Sequence, residues 1–111
     1  MERRLTYIVD IDGTICNTPF VDGKHDYKNS VPIQERIDYI NKLYDEGHVI
    51  QYWTARGTSS RIDWYDHTRA QLEAWGCKYH RFSVGKPSYD VWIDDKAINA
   101  SDIPDWTWEW D

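Results

Sequence analysis

The stretch YIVDIDGTICNT, residues 7–18, decides how this chain reads. Tyr7, Ile8 and Val9 are aromatic and β-branched residues of the kind that pack on a pleated sheet, and residues 5–11 predict a buried strand. Asp10 breaks the apolar run and Asp12 follows two positions later. Residues two apart on an extended backbone share a face, so the two carboxylates leave the strand end on the same side. One can attack an electrophile while the other handles protons. Gly13 and Thr14 complete the stretch: the glycine permits a sharp turn through which backbone N–H groups can face an anion. Asp-Gly-Thr alone is ordinary turn chemistry, so the argument needs the rest of the chain.

Outward from this strand, strands and helices alternate. Residues 16–31 hold Pro19, Gly23 and several Asp and Asn, which predicts a loop or small flap over 18–29 with a hairpin turning at Asp22-Gly23. Ser30, Pro32 and Glu35 mark a helix start, Ile33, Ile37, Ile40 and Leu43 recur at helical spacing, and Gly47 stops the helix. Residues 48–53 predict a second strand, 55–60 a polar loop, and 61–75 a helix ended by Gly76. Two more short strands are predicted over 78–83 and 90–93, then one helical turn over 96–100. This order predicts an α/β fold, a three-layer Rossmann-like parallel sheet with helices on both faces. Ligands gather at the carboxyl ends of such strands. Asp10 and Asp12 follow the first strand, Thr54 and Arg56 the second, and Asp94 and Asp95 the fourth, with Lys86 in the loop before that last strand.

The length, 111 residues, suits a single domain over 1–111. A net charge of −6 argues against broad binding to nucleic acid or anionic membrane, each of which needs a basic face. With neither a signal-peptide pattern nor a membrane-spanning run, the expected location is cytoplasmic. Cys16 and Cys77 are too few for a disulfide framework, and no second pair completes a zinc site with Cys77 and His80. Seven Trp, eight Tyr and two Phe exceed what one small core requires, so some rings are expected to face a ligand, a partner or a second copy of the chain. In the tail over 104–111, Trp106, Trp108 and Trp110 fall on one face if extended. They are expected to pack on the domain or a second copy, ahead of serving as a carbohydrate platform.

Four motifs stand in order along the chain: Asp10-Ile11-Asp12-Gly13-Thr14, Thr54-Ala55-Arg56, Gly85-Lys86-Pro87 and Ile93-Asp94-Asp95. Together they resemble the signature of the haloacid dehalogenase (HAD) superfamily of aspartate-nucleophile phosphatases, and the resemblance covers nearly the whole chain. It implies a HAD-like domain without a cap, for which the chain has no room. It also implies Mg²⁺-dependent phosphomonoester hydrolysis through an aspartyl phosphate. By the family's roles Asp10 is the nucleophile and a metal ligand. Asp12 binds metal through its carbonyl, while its side chain protonates the leaving oxygen and deprotonates water. Thr54 donates to a phosphoryl oxygen, Lys86 neutralises charge, and Asp94 completes the metal shell, with Asp95 ligating through water or orienting Lys86. Gly13, Thr14, Ala55 and Arg56 are the implied substrate-binding residues, Arg56 through a bidentate grip on phosphate or carboxylate.

The physical logic agrees: crowded carboxylates need a cation, and hard oxygen ligands suit Mg²⁺. Receiver domains use similar parts in another order, with the adjacent acidic pair after the first strand, so the order here favours the phosphatase. A catalytically silent binding module on the same fold is the non-enzymatic alternative, although every motif position is filled. Dehalogenases usually keep a cap, and a phosphonatase needs a cap-borne lysine for which there is no space. Residues 86–90 and 93–99 look closest to small phosphatase domains of bacterial capsule and surface-polysaccharide biosynthesis. Thr54-Ala55-Arg56 with Thr68, Leu72 and Trp75 is more distantly similar to the phosphatase half of polynucleotide kinase–phosphatases. The expected partner is a small phosphorylated substrate such as a sugar phosphate, with nucleic acid entering only as a 3′-phosphate end. Lys24, His25, Tyr27 and Lys28 on the flap are candidates to meet the leaving group or to be a solvated loop. His67 and His80 read as surface or packing residues.

Overall fold

A computed structural model of the chain describes residues 3–103 and residue 106. Its centre is a three-stranded parallel sheet of β1 (Thr6–Val9), β6 (Val49–Trp53) and β7 (Arg81–Ser83), in the order β1-β6-β7. Thr6 pairs with Val49 and Val9 with Tyr52, while Gln51 pairs with Arg81 and Trp53 with Ser83. Parallel neighbours need crossovers, and helices α1 (Gln34–Asp45) and α2 (Tyr65–Ala74) supply them. The fold is therefore α/β.

Side chains alternate along the strands. Val9, Ile50, Tyr52 and Phe82 point into one apolar cluster with Ile37, Ile40 and Leu43 of α1 and Leu72 of α2. Both helices thus cover the same face, as right-handed crossovers between consecutive, adjacent strands require. The expectation of helices on both faces is not met among the described residues. The opposite face carries Ile8, which is 64% exposed, and borders a shallow hollow of about 220 Å³ lined by Gln51, Trp53, Arg81 and Ser83.

Between β1 and α1 the chain builds the expected flap from three pieces. β2 (Cys16–Asn17) pairs antiparallel with β5 (Val31–Pro32) at its base. β3 (Phe20–Val21) and β4 (Lys24–His25) form the hairpin above it. The Asp22-Gly23 turn falls as expected, with Asp22 at φ 52°. A 3-10 turn, Tyr27–Asn29, leads back to the base. Because Val31 and Pro32 belong to β5, α1 begins later than its apparent cap predicts, with Ile33 at the N-cap. Ser30 is left for other work.

Residues 90–93, predicted as a fourth strand, form none, and residues 96–100 form no helical turn; a 3-10 turn follows at Ala100–Asp102. Val91 is exposed and Ile93 is 94% exposed. Val91, Trp92 and Ile93 read as strand, but among the described residues no neighbouring element pairs with them. Trp92 is anchored instead, edge-on to Trp53 at 6.3 Å. The predicted second helix also starts later than expected, at Tyr65, because residues 57–64 are folded into a tight turn. Arg61 N–H donates to the Gly57 carbonyl at 2.8 Å. Of the tail, Trp106 is buried, edge-on to Tyr39 at 5.5 Å, with the Arg36 guanidinium 4.9 Å from its ring. That is the packing expected of it, while Trp108 and Trp110 lie outside the described residues. No helix among the described residues is long and apolar enough to cross a membrane.

Candidate active site

The ends of β1, β6 and β7 bring three of the four motifs together. Asp10 follows β1 with its side chain 37% exposed, and the Lys86 ammonium stands 3.4 Å from its Oδ1. Lys86 is held there by backbone: its N–H donates to the Thr54 carbonyl at 3.1 Å, and its carbonyl accepts from the Thr58 hydroxyl at 2.7 Å. Thr54 in turn donates its N–H to the Ser83 carbonyl at 3.1 Å. The ammonium also lies 5.2 Å from the Tyr89 ring centre and 5.6 Å from that of Trp92, so rings screen its far side from water. Burial holds the Asp10 carboxyl above the usual carboxylate range, against the downward pull of Lys86 and of the Ile11 N–H.

Asp12 meets Arg56, not open solvent. Arg56 donates Nε–H to Oδ2 at 2.9 Å and Nη2–H to Oδ1 at 2.8 Å, a bidentate pair. The Thr18 hydroxyl and the Cys16 thiol also donate to Oδ1. Burial alone would raise the Asp12 carboxyl, but the hydrogen bonds and charge of Arg56, with Thr18 and Cys16, outweigh it and hold the group below its ordinary value. Cys16 itself is pushed up to about 11 by burial and then by the Asp12 charge. The two acids, adjacent on paper, are thus held in opposite electrostatic surroundings.

Arg56, expected to reach into the pocket and grip substrate, is instead 2% exposed. Its remaining N–H groups meet Thr68 Oγ1 at 3.2 Å, Gln71 Oε1 at 2.6 Å and Ser30 Oγ at 3.3 Å. The Tyr27 ring lies 4.7 Å from the guanidinium carbon. A guanidinium has five N–H groups, and each here has an acceptor, so none is left for a ligand. The Thr54 hydroxyl accepts from the Arg56 N–H at 3.2 Å and keeps its own proton for another partner.

Gly13 turns as expected, at φ 79°. However, its N–H donates to the Cys16 carbonyl at 2.9 Å and that of Thr14 to the Ile11 carbonyl at 3.1 Å. These amides close the turn on itself and are not free for an anion. The Thr14 carbonyl accepts from Arg36 at 3.0 Å, which ties the turn to α1 and, through the Arg36–Trp106 stack, to the tail. The Ala55 carbonyl accepts from Thr58 N–H at 3.0 Å, shaping the loop beside Lys86.

The fourth motif stays apart. Asp94 is exposed, and its carboxylate accepts from the Lys96 N–H at 2.6 Å and the Trp92 indole at 3.4 Å, a local turn. These bonds, the Lys96 N–H first, hold its carboxyl below the usual range. Asp95 is exposed beside it. Among the described residues no three His, Cys, Asp or Glu side chains converge as a metal site. The Asp10 carboxylate and Asp12 carbonyl are hard oxygen atoms of the kind a divalent cation takes, and Asp94 does not join them here.

On the flap, Lys24, His25 and Lys28 are exposed, whereas the Tyr27 carbonyl accepts from Gln71 at 2.7 Å and its ring abuts Trp64 at 5.1 Å. His80 stacks on Tyr44 at 4.6 Å and accepts the Ile50 N–H at 3.2 Å, a packing role as expected. His67 packs edge-on to Trp64. Sequence reading missed Thr18, Ser30 and Gln71. Their signal lay partly in α2, where Thr68 and Gln71, three apart, place polar groups together beside the buried Leu72.

A crystal structure of a structural-genomics target from Vibrio cholerae is similar to this chain, at 26% identity and a TM-score of 0.73, covering 86% of this chain and 84% of that one. Its description names no activity. No family model and no curated protein matches the chain.

Proposed function

We propose that the chain is a phosphomonoester hydrolase of the HAD type, acting through an aspartyl phosphate on a sugar phosphate or a similar small ester. The observation that supports this best is Asp10. It is a part-exposed carboxylate at the carboxyl end of the first parallel strand, paired at 3.4 Å with a lysine that the Thr54 carbonyl holds in place. A surface ion pair could form anywhere, but this one joins the first, second and third motifs at the sheet edge where α/β proteins bind ligands.

In this reading an Asp10 oxygen attacks phosphorus as the ester P–O bond breaks, and the departing oxygen takes a proton that Asp12, ionised beside Arg56, relays from the phosphomonoester monoanion. Water then attacks the phosphorus of the acyl phosphate, gives its proton to Asp12, and releases inorganic phosphate with Asp10 restored. Lys86 offsets charge on Asp10 and on the phosphoryl oxygens, and the Thr54 hydroxyl, its lone pair already engaged by Arg56 N–H, donates to one of them. A hard divalent cation such as Mg²⁺ belongs to the proposal. Its full ligand set requires Asp94 to leave its local turn, and the exposed run of residues 87–99 is the segment that would have to move. The same rearrangement would supply the layer that a three-layer HAD-like fold needs over Ile8 and Trp53, a face that Trp92 already meets.

The test is phosphate release with Mg²⁺ from an aryl phosphate, a panel of sugar phosphates and 3′-phosphorylated oligonucleotides. Turnover should be highest on the sugar phosphates and abolished by Asp10→Asn. Turnover confined to oligonucleotides would replace the substrate class, and a folded protein inactive on all of them would favour the silent binding module.

A further inference from the structure

The flap, residues 18–29, and the carboxylate proposed to handle protons are tied by one buried cation. Thr18, where the flap departs, donates to Asp12 Oδ1. Ser30, where it returns, shares a hydrogen bond with Thr18 at 2.7 Å and accepts from Arg56. Tyr27, between them, lies against the guanidinium and is fastened by its carbonyl to Gln71, whose other amide atom also binds Arg56. The departing, middle and returning residues of the flap therefore all hold either the Asp12 carboxylate or the cation gripping it.

From this geometry we infer that Arg56 is a positioning residue, whose fork makes the seating of the flap set the position of the Asp12 side chain. The inference rests on the hydrolase reading and refines it: Arg56 acts on the leaving-group half of the reaction and does not bind the phosphoryl group. Two details support it. All five donors are used, so binding a ligand anion would break a buried hydrogen bond. The bonds on Asp12 are also uneven. Oδ1 takes Arg56, Thr18 and Cys16, whereas Oδ2 takes Arg56 alone, so Oδ2 is the oxygen with a lone pair to spare for the proton in transit to the leaving group. As the P–O bond breaks, that proton passes from Asp12 to the ester oxygen and leaves an ionised Asp12 facing Arg56. A leaving group pressed against the flap would align its own proton donor.

The coupling predicts a dependence on the leaving group. p-Nitrophenyl phosphate releases a stable anion that needs little protonation, while an alkyl phosphate needs a full proton. Arg56→Gln should lower kcat/KM about 100-fold on the alkyl ester and less than about tenfold on the nitrophenyl ester. A Thr18→Val/Ser30→Ala double variant, which keeps the buried ion pair and hence the fold, should show the same inequality in smaller measure. In both variants, hydrogen exchange at the amides of Asp26, Asn29 and Ser30, taken relative to Tyr52 in β6 of the same sample, should rise about tenfold. Equal losses on the two esters, or flap amides exchanging relative to Tyr52 as in the unaltered protein, would overturn the inference. If the unaltered protein hydrolyses neither ester, the hydrolase reading fails by itself, and the exchange ratio alone decides whether Arg56 couples flap to Asp12.

Discussion

Removing the charge from one side of the Asp12–Arg56 pair should cost more than removing it from the other. The Arg56 side chain has no exposure, whereas that of Asp12 is 24% exposed. Asp12→Asn keeps the shape but leaves a buried guanidinium facing an amide. One of its N–H groups must then meet another donor whichever way the amide lies, and with the NH2 on the Thr18 side the Thr18 bond is lost as well. Breaking a buried pair by neutralising one partner costs about 3–5 kcal/mol, and the fully buried survivor places this variant at the upper end. Arg56→Met leaves the carboxylate with Thr18 and Cys16 and lets water replace one of the two lost bonds, so its cost should be about 1.5–3 kcal/mol, the worth of one hydrogen bond to a charged group. Either loss is a large share of the roughly 5–15 kcal/mol that holds a small domain together. Urea unfolding followed by tryptophan fluorescence would measure both. The pH dependence adds a second check. The folded Asp12 carboxyl lies below its unfolded value, so its contribution is complete above the unfolded pKa, about 3.9, and is lost as pH falls through the folded one. The gap between the unaltered protein and Asp12→Asn should therefore close under acid. An Asn variant that costs less than the Met variant, or a gap that widens as pH falls, would refute the reasoning.

Three further outcomes are expected. Gly57→Ala should cost about 1–3 kcal/mol in the same unfolding assay, because Gly57 sits at φ 84° and a Cβ there would lie 2.2 Å from the Ile62 carbonyl oxygen; a loss under about 0.5 kcal/mol would show that the 57–64 turn is soft. Lys86→Met removes the nearest cation from Asp10, whose carboxyl burial already holds high, so the acid limb of the kcat/KM profile should move to higher pH, and a limb that stays put would detach Lys86 from the nucleophile. Mg²⁺ should raise the melting temperature of the unaltered protein and not that of Asp10→Asn, with Asp94→Asn giving a reduced rise; an equal rise in all three would place the cation elsewhere.

Much of the fold was legible because it rests on local signals. β1, α1 and β6 follow from β-branched runs and from Ile37, Ile40 and Leu43 at helical spacing, and Asp22-Gly23 makes the hairpin that such a pair usually makes. What failed depended on partners. Val91-Trp92-Ile93 has strand composition, but a strand exists only where a neighbour accepts its hydrogen bonds, and composition does not say whether one is there. Ser30 looked like a helix cap on the strength of its type and distance from Glu35. Val31 and Pro32 instead pair with Cys16 and Asn17, which moves the helix start beyond its reach.

The site shows the same division, with one instructive inversion. Thr54 and Arg56 both follow the second strand, and both are buried. The expectation that Arg56 meets a ligand took no account of acceptors inside the domain. A guanidinium goes wherever enough acceptors converge, and here Asp12, Ser30 and the Thr68–Gln71 pair of α2 lie on three segments far apart in sequence, so no single local pattern announces them. Charge balance was the available hint. Two acids leaving one strand end need cations nearby, and the chain places two at the neighbouring strand ends, Arg56 and Lys86. Each takes one acid. Lys86 keeps to the more exposed carboxylate, where a flexible ammonium can share itself with an incoming phosphoryl group, and Arg56 takes the less exposed one, where a planar fork can meet both oxygens at once. Exchanging the two cations, Arg56→Lys with Lys86→Arg, should therefore loosen Asp12 and crowd Asp10, even though net charge and spacing are unchanged.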